Sequence, residues 1–236
     1  MSVVAQRRCN LTAKSAKYAK KSSKRCKASP VTGDPRKLIL VRHSVPAIVP
    51  GLPACEWMLS DHGRQRCHAL AAMLAEHTPD IVVSSLEPKA VETGQIVASL
   101  LGKPFATAPG LHEHKRRGVE FSTREEFEAR MAVLLAHPTE LVMGSETAEQ
   151  AGHRLAQAIA HVLDRYPGDN VAVVTHGTVM SLYVAQVAGV EPFSFWRRLG
   201  LPSFAVLRMG SSAVLARPAM ELLAVIESVV ADQSIR

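Results

Sequence analysis

The chain has 236 residues, 47% of them apolar and 5% aromatic, with 28 Lys and Arg against 21 Asp and Glu for a formal charge of +7. That composition belongs to a globular protein with a sizeable core, built as one large domain or two small ones, and excludes a chain disordered throughout. No apolar run approaches the roughly 18 residues of a membrane span, and no apolar leader opens the chain, so a soluble, cytoplasmic protein is expected.

In chain order, the first feature is a basic segment. Residues 1–37 hold eleven Lys and Arg and one acidic residue, Asp34, which leaves the body from 38 to 236 at −3. The segment is rich in Lys and Ser and breaks at Ser29-Pro30 and Gly33-Asp34-Pro35, so it reads as a disordered extension ahead of a single catalytic domain over 38–236. Three functional readings stand beside a solvated extension without catalytic consequence: weak contact with polyanions such as nucleic acid, attraction to an anionic membrane surface, or an organelle transit peptide. Cys9, Cys26, Cys55 and Cys67 show no CxxC spacing and read as free thiols.

Leu38 to Val41 is a short apolar run ending in Arg42-His43, a buried strand that opens into a Pro-containing loop. Ser60 to His77 suits a helix stopped before Thr78-Pro79, and Ile81 to Val83 is a second buried strand. Pro88 to Leu101 carries one apolar face and is stopped by Gly102-Lys103-Pro104. Phe105 to Thr107 reads as a short strand. Thr123 with Glu126, and Thr147 with Gln150, are capping-box pairs ahead of two further helices. Val171 to Val174 is a third buried strand, and Val179 to Ala188 a helix that Gly189 ends. Phe204–Arg208 and Ala213–Ala216 suggest a closing hairpin, followed by a helix from Pro218 to Val230. Strands alternating with helices predict a layered α/β/α domain with a largely parallel central sheet.

Open α/β sheets put their sites at the carboxyl ends of the strands. There this chain delivers Arg42 and His43 from the first strand, Ser84-Ser85 and then Lys89 from the second, and His176-Gly177 from the third. The loop after Thr107 adds His112, Glu113, His114, Lys115, Arg116 and Arg117. A cationic pocket with helix N-termini at its base suits a phosphoryl group.

Val41-Arg42-His43-Ser44, Leu59-Ser60 with Gly63, Ser84-Ser85 through Lys89-Ala90 to Thr93, Leu111 with Glu113, Gly144-Ser145-Glu146 and Thr175-His176-Gly177 together resemble the histidine phosphatase superfamily, the phosphoglycerate mutase-like family. The ordered set runs from Leu38 to about Leu207. The resemblance implies that His43 is the phosphorylated nucleophile, that Arg42 and His176 hold phosphoryl oxygens, and that Glu113 protonates the leaving oxygen. Ser44 stands where the family usually has glycine, and Lys89 where it usually has a second phosphate-binding arginine. A lysine keeps the charge without the two-pronged fork.

The expected activity is a phosphomonoesterase acting on a small phosphorylated substrate through phosphohistidine, with no metal and no cofactor, because Arg42, Lys89 and the histidines supply the positive charge. An acid in Glu113's role needs a raised pKa. Glu120 is the alternative donor. Ser44 and Arg116 are candidate substrate contacts; His112 and His114 read as solvated or substrate-facing, or less simply as metal ligands. Lys115, Arg116 and Arg117 select a second anionic group or form a solvated run. Trp57, Phe193, Phe195 and Trp196 read as packing residues. Mutases of the family carry a Trp-Asn pair after the histidine motif, where this chain reads Ser44-Val45-Pro46-Ala47-Ile48, which favours the phosphatase. The alternatives are mutase-type transfer, or a weakly catalytic phosphate sensor motivated by Lys89. At −3 the body has no basic face for specific nucleic-acid binding.

Overall fold

A computed structural model describes residues 35–116, 123–210 and 220–227. Its six strands are β1 (Lys37–Arg42), β2 (Ile81–Ser84), β3 (Phe105–Thr107), β4 (Val171–Thr175), β5 (Ser203–Met209) and β6 (Met220–Ile226). They lie in the order β3-β2-β4-β1-β5-β6, the first four mutually parallel, with β5 antiparallel to both β1 and β6. The layered α/β architecture with a mostly parallel sheet is the one the alternating pattern predicts.

The apolar run of β1 is continuous because both of its faces are covered. Leu38 and Leu40 enter one core with Leu155 and Ile159 of α4 (Ala148–Arg165) and Val179 and Tyr183 of α5 (Gly177–Ala188). Ile39 and Val41 enter the other, with Leu70 and Leu74 of α1 (Asp61–Ala75) and Val97 of α2 (Pro88–Leu101). Each such side chain gains roughly 1.5–3 kcal/mol on burial. A one-residue slip of β1 would exchange the two sets and carry His43 off its edge.

Local chemistry fixes the helix starts. Ser60 accepts from the Gly63 amide at the head of α1. Thr123 and Thr147 form full capping boxes on α3 (Arg124–Ala136) and α4. α3 packs through Met131, Leu134 and Leu135 against a smaller cluster shared with α6 (Pro192–Arg198), a short helix the sequence reading did not foresee. Arg36 and Lys37, counted with the basic segment, belong to the fold. Arg36 donates to the carbonyls of Asp169 at 2.7 Å and Leu163 at 2.9 Å, fastening the start of β1 to the end of α4.

The chain's end corrects the sequence reading. Met220–Ile226 is not helical but the edge strand β6, while the expected strand Ala213–Ala216 lies outside the described residues. Val206 pairs with Ala224 but Leu207 with Leu222, so Leu223 is an extra residue, a bulge. It breaks the period of two: Met220, Leu222 and Val225 reach one core, Ala224 and Ile226 the other. Adjacent Leu222 and Leu223 thereby imitate a helical spacing. Cys55 and Cys67 are free thiols as expected, and no helix among the described residues is long and apolar enough to cross a membrane.

Candidate active site

The carboxyl ends of β1, β2 and β4 meet at one edge, and α2 and α5 begin there. The sheet's hydrogen bonds continue past the strands: the His43 amide donates to Thr175 O at 3.0 Å and the Ser85 amide to Val174 O at 2.9 Å. His43 and His176 thus stand side by side, ring centroids 5.1 Å apart and 61° edge-on. Both are buried. Burial first, then His176, Lys89 and Arg42, hold His43 well below the ordinary histidine range, so it is neutral at pH 7. Its Nδ1 lies 2.7 Å from Ser44 O. A carbonyl only accepts, so Nδ1 carries the proton and the Nε2 lone pair is left for attack. His176 is likewise kept neutral, by burial and then by Lys89. Its Nε2 is 3.0 Å from Ser85 Oγ, and its Nδ1 is buried with no partner.

Three cations surround the histidines. Arg42 donates through Nη1 to Leu199 O while its Nε is buried without a partner, and burial pushes it down to about 10, still charged at neutral pH. Gly177 makes room for it: a Cβ there would lie 2.9 Å from Arg42 Nε and 3.1 Å from Cζ. Lys89, only 5% exposed, donates to Ala54 O at 2.7 Å and to Glu87 Oε2 at 2.5 Å. Arg116 donates to Thr178 Oγ1, lies 3.6 Å from Glu113 Oε2 and stacks over the Phe127 ring at 5.0 Å.

Glu113 departs from expectation. Burial raises its pKa, but Arg116, the amides of His114 and Thr178, and Arg42 overcome this and hold it at about 2. Its oxygens accept from the amides of His114 at 2.8 Å, Thr178 at 3.2 Å and Val179 at 3.3 Å, the latter two at the N-terminus of α5. At neutral pH it is therefore a carboxylate, not an acid. The loop presenting it is held by Arg154, which donates to the carbonyls of Gly110 and His112, both at 2.8 Å, and pairs with Glu146 at 2.6 Å.

Arg42, His43, Lys89, Glu113, Arg116 and His176 therefore converge. Ser44 does not offer its hydroxyl to the pocket: it is fully buried and donates to Gly63 O at 2.7 Å. His114 is buried, its Nε2 2.7 Å from Glu146 O, rather than solvated. His112 Nε2 is buried without a partner. Among the described residues no group of three or more His, Cys, Asp and Glu stands where it could hold a metal ion. Glu120 and Arg117 lie outside them. Phe195 is buried in the main core, Phe193 stacks on Trp196, and Phe127, over which Arg116 lies, meets Trp196 edge-on, so Phe193, Phe195 and Trp196 pack as expected; Trp57 joins none of the core clusters and donates through Nε1 to Leu52 O at 3.1 Å. Sequence reading missed Arg154 and Glu87. Arg154 carries no local signal on α4; Glu87, two residues before Lys89, reaches Nζ because it is the extended cap residue ahead of α2, which spacing alone does not reveal.

A layered α/β/α domain with paired histidines at its carboxyl edge defines the phosphoglycerate mutase-like class. The profile of the histidine phosphatase superfamily (branch 1) matches residues 38–213, and the chain belongs to that family. It is 24% identical to a protein named uncharacterized phosphatase PhoE from Bacillus subtilis (strain 168) over 134 residues, 57% of this chain and 66% of that one. Among solved structures, it shares its fold with a mycobacterial glucosyl-3-phosphoglycerate phosphatase at 19% identity and a TM-score of 0.68, covering 82% of this chain and 99% of that one. A phosphoserine phosphatase mutant from Entamoeba histolytica, in complex with phosphoserine, matches at 18% identity and a TM-score of 0.64, covering 81% and 96%.

Proposed function

We propose that the protein is a metal-independent phosphomonoesterase that hydrolyses small phosphate esters through a phosphohistidine on His43. The observation that carries the reading is the state of His43: neutral, anchored through Nδ1 to Ser44 O, and surrounded by Arg42, Lys89 and His176. Relatives and fold neighbours named as phosphatases support hydrolysis over mutase-type transfer.

In the first step the Nε2 lone pair attacks phosphorus and the P–O ester bond breaks, its electron pair leaving on the alkoxide, which takes a proton from Glu113. In the second, water attacks phosphorus, the P–N bond electrons return to Nε2, and Glu113 takes the water's proton. Arg42, Lys89 and Arg116 face the oxygens whose charge persists in a loose transition state. Glu113 needs a proton to begin. Phosphoryl oxygens that pair with Arg42 and Arg116 offset two of the charges that lower the Glu113 pKa, so its pKa rises. An ester arriving as its monoanion, with a second pKa near about 6, brings the proton with it.

The test is a rapid quench with a panel of phosphate esters, with and without chelator. The expected product is a phosphoenzyme labile in acid and stable in base, modified at His43 and absent from His43→Ala. Phosphate on His176 or Ser44 would overturn the roles. No phosphoenzyme under any condition would favour the sensor reading, for which the Glu87–Lys89 contact is the supporting observation.

A further inference from the structure

Glu87 is a second carboxyl group, beside Glu113, in a pocket lined by Arg42, Lys89 and Arg116; burial raises its pKa, the Lys89 ammonium opposes that, and the mechanism above gives it no task. It is 8% exposed and joins three segments. Oε2 accepts from Lys89 Nζ at 2.5 Å, Oε1 accepts from the Glu113 amide at 2.8 Å, and Oε1 lies 3.6 Å from His176 Nε2. Its own amide donates to Ser85 Oγ at 3.2 Å, the hydroxyl that also meets His176.

An ammonium has three N–H donors. Glu87 and Ala54 O engage two of those on Lys89, leaving one for a phosphoryl oxygen. An oxygen taking that third donor sits across the nitrogen from Glu87 Oε2, no more than about 5 Å away given ordinary hydrogen-bond lengths. At that range, with little water between, two negative charges repel strongly.

We propose that Glu87 is a positioning residue that holds Lys89 and the Glu113 loop in place, and that its charge keeps the pocket's grip on free phosphate weak; this rests on reading the pocket as a phosphoryl site. The repulsion acts most on the bound phosphate dianion. It acts less on the metaphosphate-like group of a loose transition state, whose three oxygens keep part of that charge while the rest passes to the leaving oxygen. The ground state and the product are thereby disfavoured relative to the step between them.

The experiment measures inorganic phosphate as a competitive inhibitor of nitrophenyl phosphate turnover by the full chain. Glu87→Gln keeps the shape and removes the charge, and should lower the inhibition constant about tenfold without raising kcat. Glu87→Asp keeps the charge and alters the reach, and should stay within about threefold of wild type. An unchanged or higher constant in Glu87→Gln would show that the carboxylate only supports Lys89, and equal tightening in both variants would show that shape rather than charge is at work. Either sinks the proposal. If Glu87→Gln does not fold, the Glu87→Gln/Lys89→Gln double variant must bind phosphate about tenfold more tightly than Lys89→Gln alone. Phosphate that fails to compete in the wild type would instead overturn the phosphoryl-site reading, and this inference with it.

Discussion

Replacing Glu113 by Gln tests stability and chemistry together. A carboxyl held at about 2 instead of 4.5 is favoured as the anion by roughly 3 kcal/mol. Gln keeps the volume, yet its amide NH2 meets the Thr178 and Val179 amides or Arg116, all of them donors. At pH 7 the variant should be less stable by up to roughly 3 kcal/mol, or about 6–12 °C in Tm for a domain of this size. The folded-state pKa lies below the unfolded one, so this stability is fully present above about 4.5 and is lost as pH falls toward about 2. The gap in Tm between wild type and variant should therefore close across that window. In turnover, alkyl phosphate hydrolysis should fall by roughly 100- to 10,000-fold, as for loss of a general acid, while nitrophenyl phosphate, whose leaving group is stable as an anion, suffers far less. A Tm gap as wide at pH 3 as at pH 7 would refute the electrostatic account. Equal losses on both esters would refute the proton-donor role, and the assay would then move to Glu120→Gln.

Gly177→Ala should separate stability from activity. Alanine is the better helix former at the head of α5, but its methyl comes within 2.9 Å of Arg42 Nε, so turnover should drop and KM rise while the thermal midpoint holds; unchanged kinetics would show that Arg42 has slack. Deleting residues 1–34 should leave turnover of small phosphate esters unaltered, since none of the converging side chains comes from them. A collapse of activity at unchanged Tm would place that segment in the reaction.

What was legible in the sequence was what local chemistry or burial decides. Pro88 opens α2 where its missing N–H costs nothing, Thr123 and Thr147 cap their helices through residues three positions on, and the four apolar residues of β1 needed two covered faces. The strand-end rule then placed Arg42, His43, Lys89 and His176 at one edge. The charge state of Glu113 was not legible, because the α5 amides that hold it lie 65 and 66 residues further along the chain. The bonds from the Glu113 amide to Glu87, and from Arg154 to Gly110, span 26 and 44 residues and are hidden for the same reason. The short helix α6 did carry signals, Pro192 in its first turn and Glu191 capping the amides of Phe193 and Ser194. Its seven residues were too few to show a periodicity. The strand β6 was hidden by its bulge.

That bulge also bears on how the molecule behaves among copies of itself. A sheet that does not close has two outer strands whose free amides and carbonyls can recruit another chain. Among the described residues one border, β3, is only three residues long, and the other, β6, is kinked where Leu223 stands out of register and carries Glu221 paired with Arg208. Neither presents a long flat ribbon. The extra residue at Leu223 thus interrupts the regular row of edge groups that a second strand would need for pairing.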